Sequence, residues 1–137
     1  MPVLKGVLET ALYVDELGAA CAFYESLFAL PVLYSDHRMR AYDVGGRGVL
    51  LLFQRGESLS TVHLPGGTIP PHDGAGPVHV AFSIAAEDLR DWETRLADAQ
   101  IAIEGRTRWP RGGTSIYFRD RDGHLLELAT PGLWQGY

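Results

Sequence analysis

Apolar and polar positions along this chain fall into two successive blocks of one design. Leu8-Glu9-Thr10-Ala11-Leu12-Tyr13-Val14 and Val78-His79-Val80-Ala81-Phe82-Ser83-Ile84 are short β-prone runs 70 residues apart, each followed by an acidic–Leu pair, Glu16-Leu17 and Asp88-Leu89. Beyond the first pair, Ala19, Ala20, Phe23, Tyr24 and Leu27 recur at the i, i+3, i+4 spacing of one buried helical face, which predicts a helix from about Asp15 that Pro31 closes. Beyond the second, Leu89, Trp92 and Leu96 do the same from Asp88 to Ala99. Strand pairs broken by Gly and Asp turns follow each helix: Arg40–Val44 and Val49–Phe53 around Gly45-Gly46, then Ser115–Arg119 and Leu125–Leu128 around Asp120-Arg121-Asp122-Gly123. Read at an offset of 75, these pair Tyr42 with Tyr117, Gly48 with Gly123 and Leu52 with Glu127. The expectation is an α+β fold of two tandem βαβββ modules, at about residues 7–54 and 77–131, forming a curved mixed sheet around one site. Residues 55–76, rich in Gly and Pro, read as a linker without regular structure.

A length of 137 residues with 46% hydrophobic content suits one domain over 1–137. The longest apolar runs, such as Val49–Phe53, fall far short of the roughly 20 residues a membrane-spanning helix needs, and nothing resembles a secretory signal. A cytoplasmic location without membrane association is therefore expected. Cys21 is the only cysteine, which excludes an intrachain disulfide and any Cys–Cys zinc motif; its apolar helical setting reads as a buried thiol. The net charge of −5, with no Lys/Arg cluster, argues against nucleic acid as a partner.

Three residues stand out against the apolar strands. Glu9 interrupts a β run, His79 takes the matching place in the second module, and Glu127 sits within Leu125-Leu126-Glu127-Leu128. Charges buried at such positions need a partner or a metal, because an unpaired one costs several kcal/mol or more. A set of Glu9, His79 and Glu127, lacking thiolate, suits one divalent ion, with Mn, Fe, Co, Ni and Zn all open. Three protein ligands leave positions free for a chelating substrate.

The stretches Glu9–Leu17 with Phe23-Tyr24-Glu25, Gly76-Pro77-Val78-His79-Val80-Ala81-Phe82, and Tyr117–Leu128 together resemble the vicinal-oxygen-chelate superfamily of glyoxalases, bleomycin-resistance proteins and extradiol dioxygenases. The resemblance implies metal ligands on the first and last strands of the modules, hence Glu9, His79 and Glu127. It departs at Glu9, where the family usually has His or Gln, and at Leu52, read as the fourth ligand position. The resemblance further implies a small-molecule substrate bound through vicinal oxygens, isomerase/lyase or dioxygenase chemistry, and a homodimer. Tyr117 matches a substrate-facing tyrosine of fosfomycin-resistance transferases, which makes Tyr117 and Glu127 the candidate catalytic residues.

Other residues have two readings. His72 is either a mobile acid or base or a solvated loop residue, and Arg119 an anion ligand or a surface charge. The contrasting functional class is a metal-free, antibiotic-sequestering cleft, in which Trp109, Trp134, Tyr42 and Phe53 supply stacking surface. A purely structural alternative pairs Glu9 and Glu127 with arginines such as Arg40 or Arg119.

Overall fold

The computed structural model describes residues 1–137, which divide into two compact units, Met1–Ala75 and Gly76–Tyr137. In the first, β1 (Glu9–Val14) leads into α1 (Leu17–Phe28), followed by β2 (Val32–Ser35), β3 (Met39–Val44) and β4 (Gly48–Gln54). The strands lie in the order β1-β4-β3-β2. β1 runs parallel to β4, a pairing that requires a crossover, and α1 with the β2–β3 hairpin provides it. Side-chain alternation then separates two faces: Leu12, Val14, Tyr42, Leu50 and Leu52 join Ala20, Cys21, Tyr24 and Leu27 of α1 in the core. Helix α1 ends on Ala29 in the left-handed region, φ 53°, with its N–H bonded to the Glu25 carbonyl. Pro31 follows, as the sequence predicts.

After β4 the chain forms β5 (Val62–Leu64) and β6 (Gly67–Ile69), an antiparallel hairpin. The stretch read as an unstructured linker thus carries its own strands, and its last residues are strapped onto β1. Arg55 donates to the Gly74 and Tyr13 carbonyls and pairs with Asp15. Gly74 lies against the Tyr13 ring so closely that a Cβ there would come within 2.6 Å of it.

The second unit repeats the plan. β7 (His79–Ser83), a 3-10 turn (Ala86–Asp88), α2 (Leu89–Asp98), β8 (Gly105–Arg108), β9 (Thr114–Arg119) and β10 (Leu125–Ala129) give a sheet of order β7-β10-β9-β8, with β7 and β10 parallel. Leu96, Ile116, Phe118, Leu126, Leu128 and Ala129 are its buried apolar residues. The α+β class and the βαβββ order hold in both units, and the strands form two separately bonded four-stranded sheets, one in each.

The β-ladders correct the alignment of the modules by one residue. Glu9 lies opposite Val49 and His79 opposite Leu125, so the residue equivalent to Glu127 is Leu51, not Leu52, and that equivalent to Tyr117 is Ala41, not Tyr42. Leu52 and Tyr42 are both 0% exposed, in the core.

Candidate metal centre and ligand cavity

In unit 2, parallel pairing sets β7 beside β10, and His79 and Glu127 converge from the two strands. The His79 Nε2 is 3.1 Å from the Glu127 Oε1. The other imidazole nitrogen, Nδ1, is 2.8 Å from the Leu125 carbonyl oxygen. A carbonyl can only accept, so Nδ1 carries a hydrogen, and a ring with no second hydrogen presents the Nε2 lone pair toward the carboxylate. Two acceptors facing one another call for a cation between them or a proton on the ring. Their 3.1 Å separation is what two donors each about 2.1 Å from one ion span when they subtend a right angle. The backbone contact that fixes the tautomer is the usual support of a metal-ligating histidine. The pair fits a divalent ion.

Glu127 is held from behind. Its Oε2 accepts a 2.5 Å hydrogen bond from the Ser115 Oγ, and the Trp109 indole N–H donates to that Oγ at 2.8 Å. Indole only donates, so the Ser115 proton is directed at the carboxylate. Ser115 is completely buried, while the His79 side chain is 47% exposed, so the pair is anchored inside and open outside. Tyr117 on β9 lies directly opposite Glu127 on β10, on the same sheet face, with its ring centroid 6.4 Å from that of His79.

Glu9 opens β1 in unit 1 and is exposed, not buried as its apolar neighbours implied. Within neither unit do three or more His, Cys, Asp or Glu side chains cluster as a metal site. The arginine pairings proposed for the carboxylates do not form. Arg40 pairs with Glu25, whose carboxyl it holds below the usual range, and Arg119 pairs with Glu104. Gln54, at the end of β4, holds the start of α1, accepting from the Leu17 N–H and donating to the Asp15 carbonyl.

The open face of the first sheet forms a cavity of about 520 Å³, whose lining includes Glu9, Tyr13, Arg38, Leu51, Phe53 and His72. His72, read as a mobile or solvated residue, is tied down there. Its Nδ1 is hydrogen-bonded to the Tyr13 hydroxyl at 2.6 Å, and its ring stands edge-on to Phe53 at 4.7 Å. Burial first, and then the charge of Asp73, push the Tyr13 hydroxyl pKa upward. Of the aromatics proposed for stacking, only Phe53 faces this cavity; Tyr42 is in the core and Trp134 is 74% exposed. Arg38 gave no sequence signal, because nothing in its neighbourhood marks it as different from the other surface arginines.

The sequence profile of the glyoxalase/bleomycin resistance protein/dioxygenase superfamily matches residues 6–128. The metallothiol transferase FosB of Bacillus licheniformis is 32% identical over 128 residues, covering 93% of this chain and 76% of the relative. A lactoylglutathione lyase from Agrobacterium tumefaciens has a solved structure with a TM-score of 0.86 and 34% identity, covering 96% of this chain and 97% of that one. The fosfomycin resistance protein FosX of Listeria monocytogenes, solved with Mn(II) and sulfate, shares the fold at a TM-score of 0.69 and 24% identity, covering 93% and 91%. With the profile running across both modules, this chain belongs to the glyoxalase/bleomycin resistance protein/dioxygenase superfamily.

Proposed function

We propose that this protein is a divalent-metal-dependent enzyme acting on a small molecule through vicinal oxygens, with His79, Glu127 and Glu9 as ligands and Tyr117 facing the substrate. The observation that carries this reading is the His79–Glu127 pair, with its tautomer set by the Leu125 carbonyl and its carboxylate set by Ser115. A bound ion would act as a Lewis acid that polarises the substrate oxygens. Both oxygens of Glu127 are already engaged, so it is poorly placed to serve as a free base. That favours group transfer, in which an incoming nucleophile needs no proton removed from carbon, over isomerisation, which does. In such a step a thiolate sulfur bonds to an electrophilic carbon, the carbon–oxygen bond breaks with its electron pair going to oxygen, and a proton on that oxygen completes the product. The Tyr117 hydroxyl is the proposed donor to the developing negative charge. The names of the relatives support both a transferase and a lyase.

Calorimetric titration of metal-stripped protein with Mn(II) should give about one site per chain, lost in His79→Ala and in Glu127→Ala with folding retained. Stoichiometric binding in either variant overturns the ligand assignment, and no binding in the wild type leaves the metal-free cleft. Turnover of fosfomycin with cysteine or glutathione, set against the methylglyoxal–glutathione hemithioacetal, then separates transfer from isomerisation.

A further inference from the structure

The cavity of unit 1 is chemically two-ended. Glu9, Ala11 and Tyr13 follow one another on the same face of β1, opposite Val49, Leu51 and Phe53 on β4. The four-residue step from Glu9 to Tyr13 spans about 13 Å at the rise of an extended strand. One end carries the Glu9 carboxylate. The other is a corner of Tyr13, Phe53 and His72, with the Arg38 guanidinium 5.4 Å from the Phe53 ring centroid. Between them the sheet presents Ala11, Ala41 and Leu51, which leave apolar room instead of polar contacts.

Arg38 is the unusual residue of that corner. Arg40 pairs with Glu25 and Arg55 with Asp15, and the remaining arginine, Arg47, is exposed, whereas Arg38 is half-buried and has no carboxylate within 4 Å. Its guanidinium donates only to the Ser58 hydroxyl at 2.8 Å and approaches the Met39 sulfur at 3.9 Å. The nearest acidic residue in sequence, Asp36, feels the Arg38 charge but makes no direct ion pair with it, because its oxygens are committed to other donors. Its Oδ1 accepts the Arg38 and Met39 backbone N–H groups, and its Oδ2 accepts the Tyr34 hydroxyl. Asp73, beside Tyr13, accepts from the Gly56 N–H. A half-buried cation, fixed by a buried serine and an aromatic face, therefore keeps unused N–H donors in a fork geometry that suits a carboxylate.

We propose that this corner is a subsite for the carboxylate of a small acid with an apolar or aromatic body. The carboxylate pairs with Arg38, and the body lies along Phe53, Tyr13 and Leu51. Together with the metal reading, on which this extension rests, the substrate class is a two-headed molecule: a carboxylate on an apolar body at one end and reactive oxygens at the other. The volume of about 520 Å³ is in the range of small-molecule sites.

The test uses the full chain stripped of metal, so that a carboxylate cannot bind through an ion. Benzoate, benzyl alcohol and acetate are titrated by calorimetry and by the backbone amide shifts of residues 11–13, 38–41 and 51–53. Benzoate should bind more tightly than both the neutral ring and the ringless anion, with shifts confined to that corner. Arg38→Gln should weaken benzoate by about tenfold or more, the range for a hydrogen bond to a charged group. Arg38→Lys should retain part of the affinity, and Arg47→Gln, at an exposed arginine outside the cavity lining, should leave it unchanged. Equal binding of the three probes, or unchanged benzoate affinity in Arg38→Gln, overturns the subsite. Benzoate binding in a protein that takes up no Mn(II) leaves the subsite standing while the metal reading falls.

Discussion

At the scale of single residues, the informative feature is how little of the His79–Glu127 pair is left free to choose its geometry. Ser115 and Trp109 would act on an ion held by the pair only through Glu127, which makes them positioning residues. Ser115→Ala removes the donor to Oε2, and Mn(II) affinity should drop about 10- to 100-fold, as for other outer-shell partners of metal ligands. Ser115→Thr, which keeps the hydroxyl, should restore much of it, and Trp109→Phe should cost less than Ser115→Ala. A lowered melting temperature with unchanged Mn(II) affinity in Ser115→Ala would mark the relay as structural alone. A different residue-scale effect belongs to Glu25, which accepts from Arg40 at 2.6 Å and from the buried Tyr42 hydroxyl at 2.9 Å. The Arg40 hydrogen bond is the main cause of its lowered pKa, offset in part by burial. Because the folded carboxyl titrates below its unfolded value, the pair stabilises the protein above the ordinary carboxylate range and loses that contribution as pH falls through the folded value. Both side chains are partly exposed, so solvent screening limits the effect to about 1 kcal/mol or less. Denaturant melts of Glu25→Gln should converge on wild type at low pH and separate from it near neutrality. A constant difference at every pH would assign the loss to packing. Glu25 and Arg40 were each visible in the sequence, but their pairing across α1 and β3 was not, because it depends on register.

At the scale of elements, register decides which of two neighbouring leucines faces the cavity. The alternation of apolar and polar residues, the Pro after α1 and the Asp/Gly turns made both helices and the main strands legible, since these are local signals. An offset of 75 also looked consistent locally, matching tyrosine to tyrosine and glycine to glycine. What separates it from 76 is the ladder between β1 and β4, a contact between distant segments, and a slip of one residue turns every side chain to the opposite face. The consequence can be measured. Leu52→Glu buries a carboxylate in the α1-facing core and should destabilise unit 1 by several kcal/mol, if it folds at all. Leu51→Glu places its carboxylate on the cavity face and should cost much less in chemical denaturation. Equal losses from the two would return the alignment to 75. The hairpin and strap between the modules were illegible for a related reason: Gly and Pro mark turns, but Tyr13–His72 and Arg55–Gly74 are tertiary contacts with no periodic signature. The turn joining β9 to β10 was read correctly as a motif, and its chemistry explains the reading. Asp120 accepts from the Asp122 and His124 N–H groups through Oδ1 and from the His124 ring through Oδ2, while Gly123 takes φ +82°. Asp120→Ala strips all three bonds and leaves the 2%-exposed His124 without its partner, a loss of about 3 kcal/mol or more in unfolding free energy.

At the scale of the whole molecule, the three proposed ligands divide between two units, Glu9 in the first and His79 with Glu127 in the second. The sequence made all three visible as polar residues in apolar strands, and geometry joins only the last two within one unit. Whether Glu9 completes the site from the same chain or from a second copy is a question of assembly, which a complementation experiment answers. Glu9→Ala and His79→Ala each break the three-ligand set and should bind Mn(II) weakly when pure. If the expected homodimer exchanges modules between chains, a mixed dimer combines intact Glu9 from the His79→Ala chain with intact His79 and Glu127 from the Glu9→Ala chain. One complete site then forms and the other loses both residues. After denaturation and joint refolding of an equal mixture, half of the dimers are mixed, so roughly a quarter of the wild-type sites should return, a proportion fixed by random pairing. Calorimetry of the co-refolded mixture against the separately refolded variants reads this directly, with sedimentation confirming the dimer. No recovery in a mixture that does form dimers would show that each site is built from one chain. Full Mn(II) affinity in pure Glu9→Ala would remove Glu9 from the ligand set, leaving His79 and Glu127 to hold the ion.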